Sequence, residues 1–272
     1  MGRDWINQLI FCVLFAIATS TTGLKADDSA WNDIREEVFG KREISPISNG
    51  FKMYVEGSAK DASIVPISFR IPSNMVDKTK SLHVLIDRNP APIAAVFSFG
   101  DGYRDGVNIG ERKIDARIRI DNFSKVRAIF ETVDGNLFMA EKFVAGAGGC
   151  SAVGAKDPDK ALAQLGRIRV KLNQQAALGT DWREAVVMVR HPNFTGMQMD
   201  PKTGDYTPAW FVERIEVKRA GKLMMSVNTG ISISEDPNLR FTFGAGTLGD
   251  KLNVKATDTK GSNFYGESAP TG

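Results

Sequence analysis

The chain of 272 residues holds two cysteines and two histidines. Nucleophilic, redox and metal chemistry therefore have few places to stand. Cys150 is the first candidate. It follows Gly148 and Gly149 and precedes Ser151 and Ala152, in a stretch (residues 145–155, AGAGGCSAVGA) that carries no charge. The thiolate is the reactive form of cysteine, and a nearby base or cation lowers its pKa. The nearest ionisable residues in sequence are Lys142 and Lys156, eight and six positions away. With no local activator, Cys150 suits presentation to a partner better than catalysis within this chain. A Cys150–His191 dyad would need tertiary approach, and no third orienting group accompanies it.

The other candidates read as structure. His83 sits on the polar phase of an apolar run, as a satisfied or solvent-facing side chain. His191 precedes Pro192 and reads as a turn or interface residue. Two histidines and one thiol have no metal-ligand spacing. Met197, Met199, Met224 and Met225 read as core or interface packing. Gly100–Gly102 and Gly244–Gly246 are too short for phosphate loops, and no helix follows either. The expected cofactor and metal content is none.

Cys12 belongs to a different segment. Arg3, the apolar run from Leu9 to Ala18 and the small, polar Thr19–Ala26 read as an export signal over residues 1–26. Ten apolar residues are too few to span a bilayer, which takes about 20. Cleavage after Ala26 would leave 246 residues and lower the formal charge from +3 to +2 by removing Arg3, Lys25 and Asp4. So balanced a charge makes no case for nucleic acid. No membrane contact is expected once the signal is gone. Cys150 would then be a lone thiol in an exported chain, where thiols tend to be oxidised.

The elements that must position this thiol are strands. Apolar residues alternate at Val65–Ile71, Leu82–Ile86, Ile93–Phe99, Ile114–Ile120, Val126–Phe130 and Leu137–Phe143. After a break they alternate again at Ile168–Leu172, Val187–Val189, Ile215–Val217, Leu223–Val227, Leu239–Phe243 and Leu252–Val254. Period-two alternation with turn signals such as Asn89-Pro90 and Asp134-Gly135 predicts antiparallel sandwiches. At about 100 residues each, the length predicts two. Trp31, Ile34 and Val38 predict one N-terminal helix, capped at Asp28 or Ser29 and stopped by Gly40. A second short helix is predicted from Pro158 to Leu165, with Asp157 as cap and Gly166 as stop. The glycine-rich stretch between the halves should stay mobile. From Val144 to Asp157 its contour is roughly 45 Å, so a loop fixed at both ends stands off by roughly 20 Å at most.

With those residues in view, the chain resembles a known family. Residues 27–150 resemble SoxY, the sulfur-carrier subunit of bacterial thiosulfate oxidation, through IDRNPAPIAAVFSF, IDARIRI with VRAIFETVDG, and the closing GAGGCSA. Residues 167–264 resemble its partner SoxZ through VRHPNFTGMQMD with Gly204, TPAWFVERIEVKRAGK, and Pro237 with LRFTF. The order resembles the fused SoxYZ-like carriers associated with quinoprotein dehydrogenases. The resemblance implies an all-β fold of two immunoglobulin-like sandwiches that pair within the chain. It implies that Cys150 carries a sulfur compound covalently, on an arm loosened by Gly146, Gly148 and Gly149. SoxY usually ends soon after its cysteine, whereas this chain runs on, so its arm is tethered at both ends.

The expected organisation is a signal (1–26), a SoxY-like domain ending in the arm (27–150), a linker and short helix (151–166), a SoxZ-like domain (167–264) and a frayed tail (265–272). The expected function is a periplasmic, non-enzymatic carrier. Its implied partners are periplasmic redox enzymes of sulfur oxidation or of quinoprotein dehydrogenase systems. The alternative is a non-catalytic binding module that docks such a dehydrogenase or its cytochrome.

Overall fold

The fold is seen in a computed structural model, which describes residues 28–104, 110–153, 162–173, 182–200, 203–244 and 249–270. The predicted signal peptide lies outside these residues. So does the predicted helix up to residue 161, and of it only a helical end at 162–163 running into a turn is described.

Helix α1 (Ser29–Phe39) forms where its spacing predicts, and Gly40 stops it at a φ of 61°. The strands of the first half are β1 (Ile44–Pro46), β2 (Lys52–Val55), β3 (Val65–Ile71), β4 (Thr79–Ile86), β5 (Ile93–Phe99), β6 (Arg112–Ile118), β7 (Ser124–Thr132) and β8 (Leu137–Val144). Those of the second half are β9 (Ile168–Asn173), β10 (Trp182–Val189), β11 (Val212–Arg219), β12 (Lys222–Thr229), β13 (Asn238–Gly244), β14 (Leu252–Asp258) and β15 (Asn263–Glu267). The fold is all-β, in two layers, with a further helical turn, α2 (Asp101–Arg104), at Gly100–Gly102, where no helix was expected; it lies against Leu223 and Met224 of β12.

The halves are not separate sandwiches laid side by side. One sheet runs β1-β8-β7-β4-β5-β12-β11-β14-β15, and the other runs β2-β3-β6-β13-β10-β9. Both sheets cross from one half to the other. In the larger sheet β5 pairs antiparallel with β12, from Phe99 opposite Met225 to Ala95 opposite Thr229. In the smaller, Ile114 of β6 lies opposite Phe241 of β13. A single apolar core follows, holding Phe69, Phe97 and Phe130 of the first half with Val187, Val227 and Phe241 of the second. Alternation puts every second residue of β3 into it: Val65, Ile67, Phe69 and Ile71 are all buried.

A smaller cluster lies on the outer face of the larger sheet. Trp31, Ile34 and Phe39 of α1 pack there on Leu85, Ile129 and Leu137. This cover explains why β7 is buried almost throughout instead of on alternate residues. Arg127, on that outer face, lies under the Trp31 ring with its guanidinium 4.3 Å from the ring centre. It also forms a two-point ion pair with buried Asp87.

Two expectations are corrected. Residues 265–268 are not frayed: β15 continues to Glu267, and the Ser268 N–H donates to the Leu252 carbonyl at 2.9 Å. The stretch after Val144 is not loose as far as it is described, because Gly148, Gly149 and Ala152 all donate backbone hydrogen bonds. Among the described residues, no helix is long and apolar enough to cross a membrane.

Candidate thiol site

The segment that carries Cys150 is laid into a seam between the halves. It leaves β8 at Val144 and is caught at once, as Ala145 donates to the Gly57 carbonyl and Ala59 donates to that of Ala145. Gly148 then donates to the Asp121 carbonyl at 2.9 Å, and Gly149 to that of Ile120 at 3.0 Å. The glycines fit this seam for steric reasons. Gly148 has a φ of +72°, the left-handed region that favours glycine. A Cβ on Gly149 would stand 2.1 Å from the Ala62 carbonyl oxygen, and one on Gly146 would stand 3.1 Å from Ile120 Cγ2.

Cys150 itself is a free cysteine and is fully buried, which corrects the expectation of a thiol presented on a mobile arm. Its N–H donates to Asp121 Oδ1 at 3.1 Å. Its carbonyl accepts the Thr195 hydroxyl at 2.6 Å, from the other half of the chain. Gln198 Nε2 donates to the Ala152 carbonyl at 3.1 Å. Burial pushes the thiol pKa up to about 12, the Asp121 carboxylate pushes the same way, and the Arg119 guanidinium opposes both. In this position Cys150 is a neutral thiol and a poor nucleophile.

Arg119 and Asp121 flank Ile120 just past β6, and Asn89 fixes that turn. Asn89 Nδ2 donates to the Arg119 carbonyl at 2.7 Å and to Ser232 Oγ at 2.9 Å, while its Oδ1 accepts the Asp121 N–H at 2.8 Å. The Arg119 side chain is buried and spends its donors on carbonyls. Nη1 reaches that of Gly149 at 3.1 Å, Nε that of Ile233 at 3.4 Å, and Nη2 that of Asn193 at 3.5 Å. Its charge is therefore buried beside the thiol while its donors bridge the halves.

The second half contributes a loop that follows His191-Pro192. Asn193 there has a φ of 45° and Gly196 one of 87°. The Asn193 N–H donates to His191 Nδ1 at 3.1 Å, and Asn193 Oδ1 accepts the Val212 N–H at 3.1 Å. Thr195 N–H donates to Gln198 Oε1 at 3.0 Å, and Met197 N–H to Thr195 Oγ1 at 3.1 Å. The loop is thus braced from within before it touches the thiol segment.

His191 belongs to that brace and is not the base of a thiol dyad. Its ring is buried edge-on to Trp210, 5.0 Å between centroids, and its Nε2 lies 3.7 Å from Asp258 Oδ2. Burial lowers its pKa, against the opposing pull of Asp258. His83 lies elsewhere, 5.2 Å from the Phe39 ring and 3.2 Å from Ser81 Oγ. The described residues bring no three His, Cys, Asp or Glu side chains together as a metal site.

Arg119, Asp121, Thr195 and Gln198 escape sequence reasoning as neighbours of Cys150, since they lie 29 to 48 positions away or on the polar phase of a strand. Asn89-Pro90 signals a turn, and only the fold shows that its side chain sets the Arg119–Asp121 geometry.

Comparisons with known proteins follow the same division of the chain. Residues 35–150 match the family described as Sulfur oxidation protein SoxY, and residues 170–269 match that described as Sulphur oxidation protein SoxZ. No curated protein matches the chain. Among solved structures, the sulfur carrier protein SoxY from Chlorobium limicola f thiosulfatophilum is similar at 16% identity. That overlap covers 43% of this chain and 96% of that one, with a TM-score of 0.33. A beta-glycosidase from Bacteroides vulgatus is similar at 7% identity over 80% of this chain and 24% of that one, with a TM-score of 0.23.

Proposed function

We propose that this chain, a fused SoxYZ-like protein with a SoxY domain and a SoxZ domain in one polypeptide, is a covalent carrier in sulfur oxidation with Cys150 as the carrying thiol. One observation carries the reading. The SoxY match ends on residue 150, and that residue is a free cysteine.

The chemistry asked of the protein is modest. The Cys150 thiolate attacks one sulfur of a sulfur–sulfur bond, a new S–S bond to Cys150 forms, the old one breaks with its other sulfur leaving as an anion, and the step is reversible by the same route. No catalytic group in this chain is needed, and redox partners supply the oxidation. The SoxZ domain supplies the second half of both sheets and the loop that holds the thiol segment. Export to the periplasm with removal of residues 1–26 belongs to the same proposal. So do partners among redox enzymes of sulfur oxidation or quinoprotein dehydrogenase systems.

Intact mass of the chain purified without reductant tests the reading. A covalent sulfur adduct on wild type, absent from Cys150→Ser, is the expected result. Equal adducts and equal pathway flux in the two proteins would rule the carrier out.

The burial of Cys150 favours a second reading, in which the thiol is a core side chain of a non-catalytic module that docks a dehydrogenase or its cytochrome. That reading predicts partner capture unchanged in Cys150→Ala and no covalent load on wild type.

A further inference from the structure

We propose that the SoxZ domain latches the thiol segment, and that the latch is set by load: Thr195 and Gln198 hold unloaded Cys150 in its seam, and an anionic sulfur group on Cys150 releases it. The inference rests on the carrier reading above and goes beyond it by naming the residues that gate the carrier and the state they select.

The latch is built from both sides. On one side Asp121 accepts the Cys150 N–H, and on the other Thr195 donates to its carbonyl. Gln198 adds a second hold two residues on, at the Ala152 carbonyl. The Thr195 hydroxyl is used twice, as donor to Cys150 and as acceptor from the Met197 N–H. Thr195 and Gln198 are themselves buried, at 4% and 3% exposure, so water does not compete for these bonds.

The seam closes over the bare thiol. Cys150 has no exposed surface. The segment cannot slide deeper to make room, because Gly149 already lies against the Ala62 and Ile120 carbonyls. An anion there would lose its water and face the Asp121 carboxylate. Arg119 is the nearby cation, but its pull on a charged Cys150 is weaker than the opposing effects of burial and of Asp121. Burial and the Asp121 charge therefore act together against a docked anionic adduct.

The sequence of events follows. The segment opens, the exposed thiol loses its proton to solvent, and the thiolate attacks an inner sulfur of a polythionate. With tetrathionate, the Cys150–sulfur bond forms, the tetrathionate S–S bond breaks, and thiosulfate leaves: RS⁻ + S4O6²⁻ gives RS–S–SO3⁻ + S2O3²⁻. The loaded segment then stays out of the seam, where a partner can reach it. Unloading is the reverse exchange: thiosulfate attacks the sulfur bound to Cys150, the Cys150–sulfur bond breaks, tetrathionate leaves, and the released thiolate takes a proton from solvent and docks again.

The experiment uses the full exported chain at fixed pH. Alkylation of Cys150 by iodoacetamide, followed by intact mass, reads opening without any sulfur cargo. Thr195→Val and Gln198→Leu should each speed alkylation by about tenfold, the scale of one lost buried hydrogen bond. Circular dichroism confirms that each variant is folded, and the less perturbed variant decides. Hydrogen exchange of the peptide spanning residues 145–153 then compares wild type before and after tetrathionate. Faster exchange after loading, with β6 and β7 unchanged, is expected. Alkylation at the wild-type rate in the less perturbed folded variant, or identical exchange in loaded and unloaded chains, would overturn the latch. The carrier reading fails separately, if iodoacetamide modifies Cys150 while tetrathionate leaves no adduct on wild type or either variant.

Discussion

In the proposed role Cys150 has to be reached as a thiolate, and it is held where a thiol keeps its proton. Released into water, the thiol titrates near its ordinary 9.0, and docked it is pushed up to about 12. Between those values the docked form holds more protons than the opened or unfolded one, so pH changes the balance. The contribution to stability is full below pH 9 and is lost as pH climbs towards 12. Wild type should therefore lose melting temperature more steeply than Cys150→Ala between roughly pH 8.5 and 10.5, the experimentally accessible part of that window. Parallel pH curves for the two proteins would show that the thiol does not titrate from a buried site. Gly149 offers a second test at this scale. Its missing Cβ lets two carbonyls approach, so Gly149→Ala should destabilise by about 1–3 kcal/mol, as overpacking does, read by urea unfolding. The glycines themselves show where sequence reading stops. Freedom to move and close approach both require the absence of a side chain, so AGAGGCSA predicts a loose arm and a packed seam equally well. Only the position of Ala62 and Ile120 decides between them.

Among the elements, α1 does more than cap the N-terminus. Its spacing was legible, and Trp31 and Ile34 are buried as that spacing predicts. Where it lands was not. The alternation in β7 assigns Val126, Ala128 and Phe130 to the core and leaves Arg127 and Ile129 facing out. The helix covers that outer face and buries both. Arg127 then becomes the cation for buried Asp87, whose pKa burial raises and Arg127 pulls back. Arg127→Met would leave Asp87 buried without its partner. A loss of about 3–5 kcal/mol is expected, the usual result of breaking a buried pair. Thermal unfolding measures it, and restoration of stability in Arg127→Met with Asp87→Asn would assign the loss to the orphaned charge. The elements that the sequence hid give short or weak signals. β1 is three residues long and β15 is an edge strand with Tyr265 exposed, so neither carries an apolar alternation. β2 with the residue before it does carry one, Phe51, Met53 and Val55 facing the core, in a run too short to stand out between turns. Gly266 in β15 reads as a loop glycine, but it faces Ile168, where a Cβ would stand 2.6 Å from that side chain.

At the scale of the whole molecule, the two halves share their sheets and their core. Alternation in β5 and β12 gives each strand a core face, yet it shows neither that Met224 and Ser226 on the other face of β12 are buried too nor which strand lies beside which. The pairing of Phe97 with Val227 and of Ile114 with Phe241 is therefore the part of the fold that length and period left open. It also locates the seam that receives Cys150, since Arg119 reaches carbonyls of both halves and Thr195 reaches back across. Continuous backbone pairing in both layers makes the covalent connection between the halves dispensable for holding them together. A protease site introduced between Val153 and Leu162 tests this directly. After cutting, both fragments should elute as one species of unchanged size under native conditions and separate only in denaturant. The seam should survive as well, because Thr195 and Gln198 bind the segment on the first fragment's side of the cut. Cys150 in the cut chain should thus remain slow to alkylate. Separation of the fragments in native buffer would mean that the shared sheets do not hold the halves. An intact complex with a fast thiol would place the restraint in the tether instead of the latch.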